Sequence, residues 1–254
     1  VRAYWDQGGQ GVIGLHLEGP WINPVKRGAH IESLIHAPTL EEVQEILEYG
    51  SGVITMITLA PECCDPALVE MIRNEGIIIS AGHSNATYEE ATGFLNDGIE
   101  AVTHLYNAMS PLQHRAPGLV GAVLDHRSAM ASIIPDGYHV DYSALRIAKK
   151  IMGDRLFVIT DAVTETRSGH YPHERAGDKY ESAGILSGSA LDMITAVKNL
   201  ETHAGIEFEE ALRMCSLYPA RVIGKENELG RIEKGYRCCM LALNDAREVQ
   251  GIIC

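Results

Sequence analysis

Short apolar runs alternate along the chain with stretches whose apolar positions recur at three- and four-residue spacing. Six runs read as strands: VIGLHLEG (12–19), VITMITLA (53–60), IIISAGHS (77–84), AVTHLYN (101–107), ASIIPDG (131–137) and LFVITDA (156–162). The segments between them carry helix start and stop signals. TLEEVQEILEYG opens with a capping box, Thr39 with Glu42, and stops at Gly50. DPALVEMIRNEG places Asp65 as N-cap, Pro66 at the first helical position and Gly76 at the C-cap. TYEEATGFLNDG repeats the capping box at Thr87 and Glu90 and ends at Gly98, and DYSALRIAKKIMG runs from an Asp141 cap to Gly153. Strands apolar on both faces and separated by helices predict a parallel α/β sheet, either doubly wound or part of a (β/α)8 barrel. No G-x-G-x-x-G follows any strand, which argues against dinucleotide binding.

Beyond Asp161 the pattern changes. Residues 163–189 are polar and glycine-rich, with a short hairpin expected around 179–185, and are long enough to form a lid. Two helices follow, ALDMITAVKNLETHAG and EEALRMCSLYPARVIG. The tail from 230 holds two strand-like runs without an obvious partner strand.

Composition narrows the function classes. The 254 residues are 46% hydrophobic and 22% charged, which suits one large globular domain or two smaller ones. A net charge of −13 argues against nucleic acid or an anionic membrane as the main partner, while leaving room for a local basic pocket that takes a small anion. No apolar run approaches the ~20 residues of a membrane span, and no secretory leader pattern opens the sequence. Cys63, Cys64, Cys215, Cys238, Cys239 and Cys254 form no C-x-x-C and no disulfide framework. They read as reduced, buried thiols of a cytoplasmic protein.

The polar residues carry the chemistry. Glu18, His83, His104, Asp136 with nearby His139, and Asp161 all fall at C-terminal ends of expected strands, where a barrel gathers its catalytic groups at one mouth. A carboxylate and two imidazoles, Glu18, His83 and His104, suit Zn²⁺ or a similar divalent ion. Asp161 reads as a further ligand or as a general base. Asn107, Arg115 and the LSGS turn at 186–189 add donors for an anion. Ser in SGSA is a poor nucleophile candidate, because no G-x-S-x-G elbow surrounds it.

The ordered motifs GLHLEGPW (14–21), KRGAH (26–30), LAPE (59–62), AGHSNAT (81–87), THLYNAM (103–109), PDGYHVD (135–141), TDA (160–162) and LSGSAL (186–191) resemble the N-acetylglucosamine-6-phosphate deacetylase family of the amidohydrolase superfamily. The resemblance spans about residues 11–224. It implies a metal-dependent (β/α)8 TIM barrel over 1–229, here without its first two β/α units, and a remnant of a small β-sandwich at 230–254. It implies metal ligation by Glu18, His83 and His104, general base and acid catalysis by Asp161, and polarisation of the acetyl carbonyl by His30. Asn107, Ala108, Arg115, His139, Leu186 and Ser187 are implied as substrate contacts, with Arg115 and the Asn107–Ala108 turn toward the phosphate.

The cofactor implied is Zn, with Fe, Co or Mn as alternatives and one or two ions per subunit. The implied partner is a phosphorylated amino sugar, and the implied assembly a homodimer. Two other readings stay open: an inactive, N-terminally incomplete chain that only binds sugar phosphate, and an amidohydrolase acting on a cyclic amide.

Overall fold

The structure is a computed structural model and describes residues 1–169 and 171–253. Its chain divides into two compact units, Val1–Ala129 and Met130–Cys254.

In the first unit a short helix α1 (Arg2–Asp6) precedes four β/α steps: β1 (Leu15–Glu18), α2 (Leu40–Gly50), β2 (Ile54–Leu59), α3 (Pro66–Asn74), β3 (Ile78–Ala81), α4 (Tyr88–Asn96), β4 (Ala101–Val102) and α5 (Gly118–Asp125). Neighbouring strands pair in parallel, with Glu18 opposite Thr58, Thr58 opposite Ser80, and Ser80 opposite Ala101. This register brings the strand ends into line. The helices begin where local chemistry dictates. Thr39 with Glu42, and Thr87 with Glu90, form complete capping boxes, and the Asp65 side chain accepts from the Ala67 N–H ahead of Pro66. The stops lie slightly away from the expected glycines: α2 includes Gly50, while α3 and α4 end before Gly76 and Gly98, which take positive φ just outside. The strands are shorter than their apolar runs, because the residues after Glu18, Ala81 and Val102 leave the ladder to build loops. Ile57, Leu59, Ile79, Val102, Leu105, Leu95 and Leu119 are fully buried between strands and helices. Each contributes roughly 1.5–3 kcal/mol of apolar burial.

The second unit starts with β5 (Met130–Ile133), α6 (Tyr142–Met152) and β6 (Leu156–Val158), the two strands pairing in parallel. Asp141 caps α6 through the Ser143 N–H as expected. The polar stretch forms a three-stranded antiparallel sheet of β7 (Glu174–Ala176), β8 (Lys179–Ser182) and β9 (Ile185–Ser189), one strand more than the expected hairpin. The first of the two later helices is α7 (Met193–Ala204). The second breaks at Ser216 into α8 (Phe208–Cys215) and α9 (Leu217–Val222). The tail runs, β10 (Met240–Leu243) and β11 (Val249–Ile253), pair antiparallel with each other, which supplies the partner the sequence left unassigned.

The cysteines correct one expectation. Cys63, Cys64, Cys215, Cys238 and Cys239 are free thiols, but only Cys64 is buried, and Cys238 and Cys239 are exposed next to β10. Cys254 lies outside the described residues. Among the described residues no helix is long and apolar enough to cross a membrane.

Candidate metal and catalytic sites

Glu18, His83 and His104 come together at the ends of β1, β3 and β4. Glu18 Oε1 lies 2.8 Å from His83 Nε2 and 2.9 Å from His104 Nε2, and the two imidazole nitrogens are 3.1 Å apart. His83 and His104 adopt left-handed backbone with φ of 48° and 38°. Non-glycine residues seldom take this conformation, and it turns each ring out of the strand direction. Both imidazole side chains are almost fully buried, while Glu18 keeps about a third of its side chain exposed. Burial disfavours ionisation of Glu18, yet hydrogen bonds and charge from His104 and His83 outweigh it and hold the carboxyl far below the usual carboxylate range.

The donor set fits a cation. His83 Nδ1 is 2.8 Å from the carbonyl oxygen of Lys26, which can only accept, so Nδ1 carries a hydrogen. A charged His83 also donates Nε2–H to Glu18, whereas in a neutral His83 ring the Nε2 lone pair faces the Glu18 carboxylate and His104 Nε2. Such converging lone pairs need a positive charge between them, and a carbonyl behind an imidazole is the usual support of a metal-bound histidine. Glu18, His30 and His83 each offer a ligand atom within 4.8 Å of one another. His30 stands edge-on to His83, with ring centroids 4.8 Å apart. Burial and the neighbouring His83 push its pKa down to about 4 against the pull of Glu18, so the ring is neutral near pH 7. Gly28, at φ 57°, lets this loop approach: a Cβ there would sit 3.3 Å from His83 Cε1.

Two polar arrangements support this cluster, and neither was visible as such in the sequence. Across the same strands, His16 Nε2, Thr58 Oγ1, Thr103 Oγ1 and Ser80 Oγ form a chain of 2.6 Å contacts, with the three hydroxyls buried. Beside the cluster, Glu62 Oε1 accepts from Asn85 N and Asn23 Nδ2, while Oε2 accepts from Ser84 Oγ. Glu62 thus ties the loop after β3 to the loop after β1. Its place in the LAPE motif was the only sequence signal.

Asn107 and Ala108 lie on the half-buried turn after His104. The Asn107 N–H donates to the His104 carbonyl at 2.9 Å, and Ala108 has φ 47°. Arg115 is exposed in the following loop.

In the second unit Asp161 leaves the end of β6 at φ 49°, and its carbonyl accepts from Ser189 N at 2.8 Å. His139 lies between two carboxylates: Nδ1 is 2.6 Å from Asp136 Oδ2, and Nε2 is 3.9 Å from Asp161 Oδ2. Leu186 and Ser187 are half-buried on β9, with Ser187 Oγ 2.9 Å from His173 Nδ1.

The amidohydrolase family model matches residues 6–254. The N-acetylglucosamine-6-phosphate deacetylase of Haemophilus influenzae is 38% identical over 246 residues, covering 92% of this chain and 64% of that protein. The N-acetylgalactosamine-6-phosphate deacetylase of Escherichia coli O157:H7 is 32% identical, covering 97% of this chain and 68% of that protein. The crystal structure of N-acetylglucosamine-6-phosphate deacetylase from Pasteurella multocida superposes with a TM-score of 0.91 at 39% identity, over 99% of this chain and 68% of that one. The chain therefore spans about two thirds of the length of the relatives it matches.

Proposed function

This chain belongs to the amidohydrolase family, with the α/β architecture of TIM-barrel type that its relatives share, and from that premise we propose that it hydrolyses the acetamide of N-acetyl-D-glucosamine 6-phosphate to glucosamine 6-phosphate and acetate. The observation that carries this reading is the convergence of Glu18 Oε1, His83 Nε2 and His104 Nε2 within 3.1 Å of one another. The names of the relatives support the substrate class.

Glu18, His83 and His104 would hold a divalent ion, and their mixed carboxylate and imidazole character suits Zn²⁺ first, with Fe²⁺, Co²⁺ or Mn²⁺ as substitutes. Such an ion supplies Lewis acidity to the acetamide oxygen and to the attacking water. The remaining steps belong to the chain. Asp161 accepts a proton from the water as it attacks the acetyl carbon, then returns it to the amine as the C–N bond breaks. His30, neutral near pH 7, donates an N–H to the developing oxyanion. Arg115 and the Asn107–Ala108 turn receive the 6-phosphate, an anion suited to guanidinium and backbone N–H donors. His139, Leu186 and Ser187 contact the sugar. Residues 1–229 form the barrel part and 230–254 the strands of a small second domain, and the working assembly is a cytoplasmic homodimer.

The test is acetate release by the metal-loaded chain. N-acetylglucosamine 6-phosphate, its C4 epimer, the unphosphorylated sugar and a cyclic amide would be compared, with metal content measured in parallel. Turnover of the 6-phosphate sugar above the others is expected. No acetate from either phosphorylated sugar would overturn the proposal, and preference for the epimer would move the assignment to the galactosamine relative's substrate.

A further inference from the structure

The PDGYHVD segment holds a buried carboxylate that the mechanism above does not use. The Asp136 side chain is 3% exposed and the His139 side chain 7%. Asp136 Oδ1 accepts the backbone N–H of Tyr138 at 2.9 Å and of His139 at 2.8 Å, while Oδ2 meets His139 Nδ1 at 2.6 Å. Burial alone would favour the neutral acid, but the imidazole and the two N–H donors outweigh it and hold the carboxyl below its ordinary range. An ionised carboxylate can only accept, so His139 Nδ1 must carry the hydrogen. Nε2 is then the ring nitrogen that faces Asp161, at 3.9 Å from its Oδ2.

We propose that Asp136 is a positioning residue: it fixes the ring orientation and tautomer of His139, so that Nε2 is presented to the Asp161 carboxylate. Carboxylates then flank both ring nitrogens, and His139 can hold a hydrogen on Nε2 toward Asp161 while Nδ1–H stays bound to Asp136. The arrangement has the logic of a carboxylate that orients a catalytic imidazole without itself exchanging a proton. Its kinetic consequence rests on the deacetylase reading, in which Asp161 is the base. The ring geometry does not.

Asp136→Asn separates this role from turn formation. The amide oxygen can still accept both backbone N–H groups, which keeps the turn and prevents the amide from flipping. The amide NH₂ then faces Nδ1 in place of an acceptor, and the hydrogen of a neutral His139 must move to Nε2. Histidine ring ¹H–¹⁵N spectra of the whole chain, with His139 signals assigned by their loss in His139→Gln, read this directly. The expected result is an Nδ1-bound hydrogen in the unsubstituted protein and an Nε2–H tautomer in Asp136→Asn. A hydrogen that stays on Nδ1 in the variant, or an unsubstituted ring bearing hydrogen on Nε2 alone, overturns the proposal. The second of these results needs no variant to fold.

In acetate release, Asp136→Asn should lower kcat by about 10–100-fold, with KM changed by less than about threefold. In a His139→Gln background the same substitution should add nothing, because its effect passes through that ring. A wild-type kcat in Asp136→Asn, or an undiminished loss in the double variant, overturns the proposal. Absence of acetate release by the unsubstituted chain refutes the deacetylase reading instead, and the spectra alone then decide the role of Asp136.

Discussion

Glu62 accepts a hydrogen bond from the Ser84 hydroxyl at 2.8 Å, one residue beyond His83, and its other oxygen accepts the Asn85 N–H at 2.7 Å. The carboxylate therefore holds the loop that aims His83, at a point where that loop's backbone is left-handed. Glu62→Ala would leave these donors without their acceptor. It should cost about 1–3 kcal/mol of stability, read as a fall in Tm of about 2–4 °C per kcal/mol, and weaken metal binding by about tenfold or more. Glu62→Gln, which keeps one acceptor oxygen, should fall between the two. Unchanged Tm and metal affinity in Glu62→Ala would show that the loop holds itself.

Replacing either imidazole tests the donor set. His83→Asn and His104→Asn each remove a nitrogen from a triangle of atoms 2.8–3.1 Å apart, so both should lose stoichiometric metal on dialysis. Elemental analysis of the purified variants checks it. Full metal retention in both would mean that these residues are not ligands.

Asp161→Asn should behave differently. If Asp161 is the base, the variant keeps its metal and its substrate affinity but slows by about 10²–10⁴, the usual range for proton transfer by a side chain. Loss of metal from this variant would make Asp161 a ligand.

What the sequence revealed and what it hid follow from the range of the interactions. The capping boxes at Thr39 and Thr87, and the Asp65–Pro66 start, depend on residues within four positions, so they were legible and formed as expected. Glu18, His83 and His104 were legible because polar residues interrupt apolar runs at equivalent places. Helix α5 was not, because GLVGAVLD is buried from Gly118 to Leu124 and shows no polar face to reveal its period. Nor could composition reveal that His83, His104, Ala108 and Asp161 take positive φ, since that conformation is uncommon for non-glycine residues in general. The Glu62 clamp and the Thr58–Thr103–Ser80 chain join residues more than twenty positions apart, which only the register of β1 to β4 brings together. The Asp136–His139 pair had a local signal, its three-residue spacing, but its chemistry depends on the burial that the fold imposes.

Arg115 is exposed, which suits a side chain that meets a charged group of an entering ligand. If Arg115 meets the phosphate, Arg115→Ala should raise KM for the 6-phosphate sugar more than for unphosphorylated N-acetylglucosamine, because a guanidinium suits phosphate chiefly as a binding partner. Steady-state kinetics on both sugars check this. Equal losses would remove the phosphate role from Arg115.

The second unit carries an acid-sensitive contact of its own. Glu210 accepts from Lys149 Nζ, from Arg213 Nε at 2.7 Å and from the Tyr218 hydroxyl at 2.9 Å, joining α6, α8 and α9. Burial opposes its ionisation, but these three partners outweigh it and lower its pKa from the ordinary 4.5. A carboxyl depressed in the folded state adds stability that is fully present above the unfolded value. That stability is lost as pH falls from about 4.5 through the folded value. Glu210→Gln should therefore be less stable than the parent at pH 7 by a margin that holds down to about pH 5 and narrows steadily below about 4.5. Urea midpoints for both proteins across that range measure the margin, and the comparison cancels the titration of the other carboxylates. A margin that stays constant down to pH 3, or widens, would show that the Glu210 charge does not stabilise the packing of these helices.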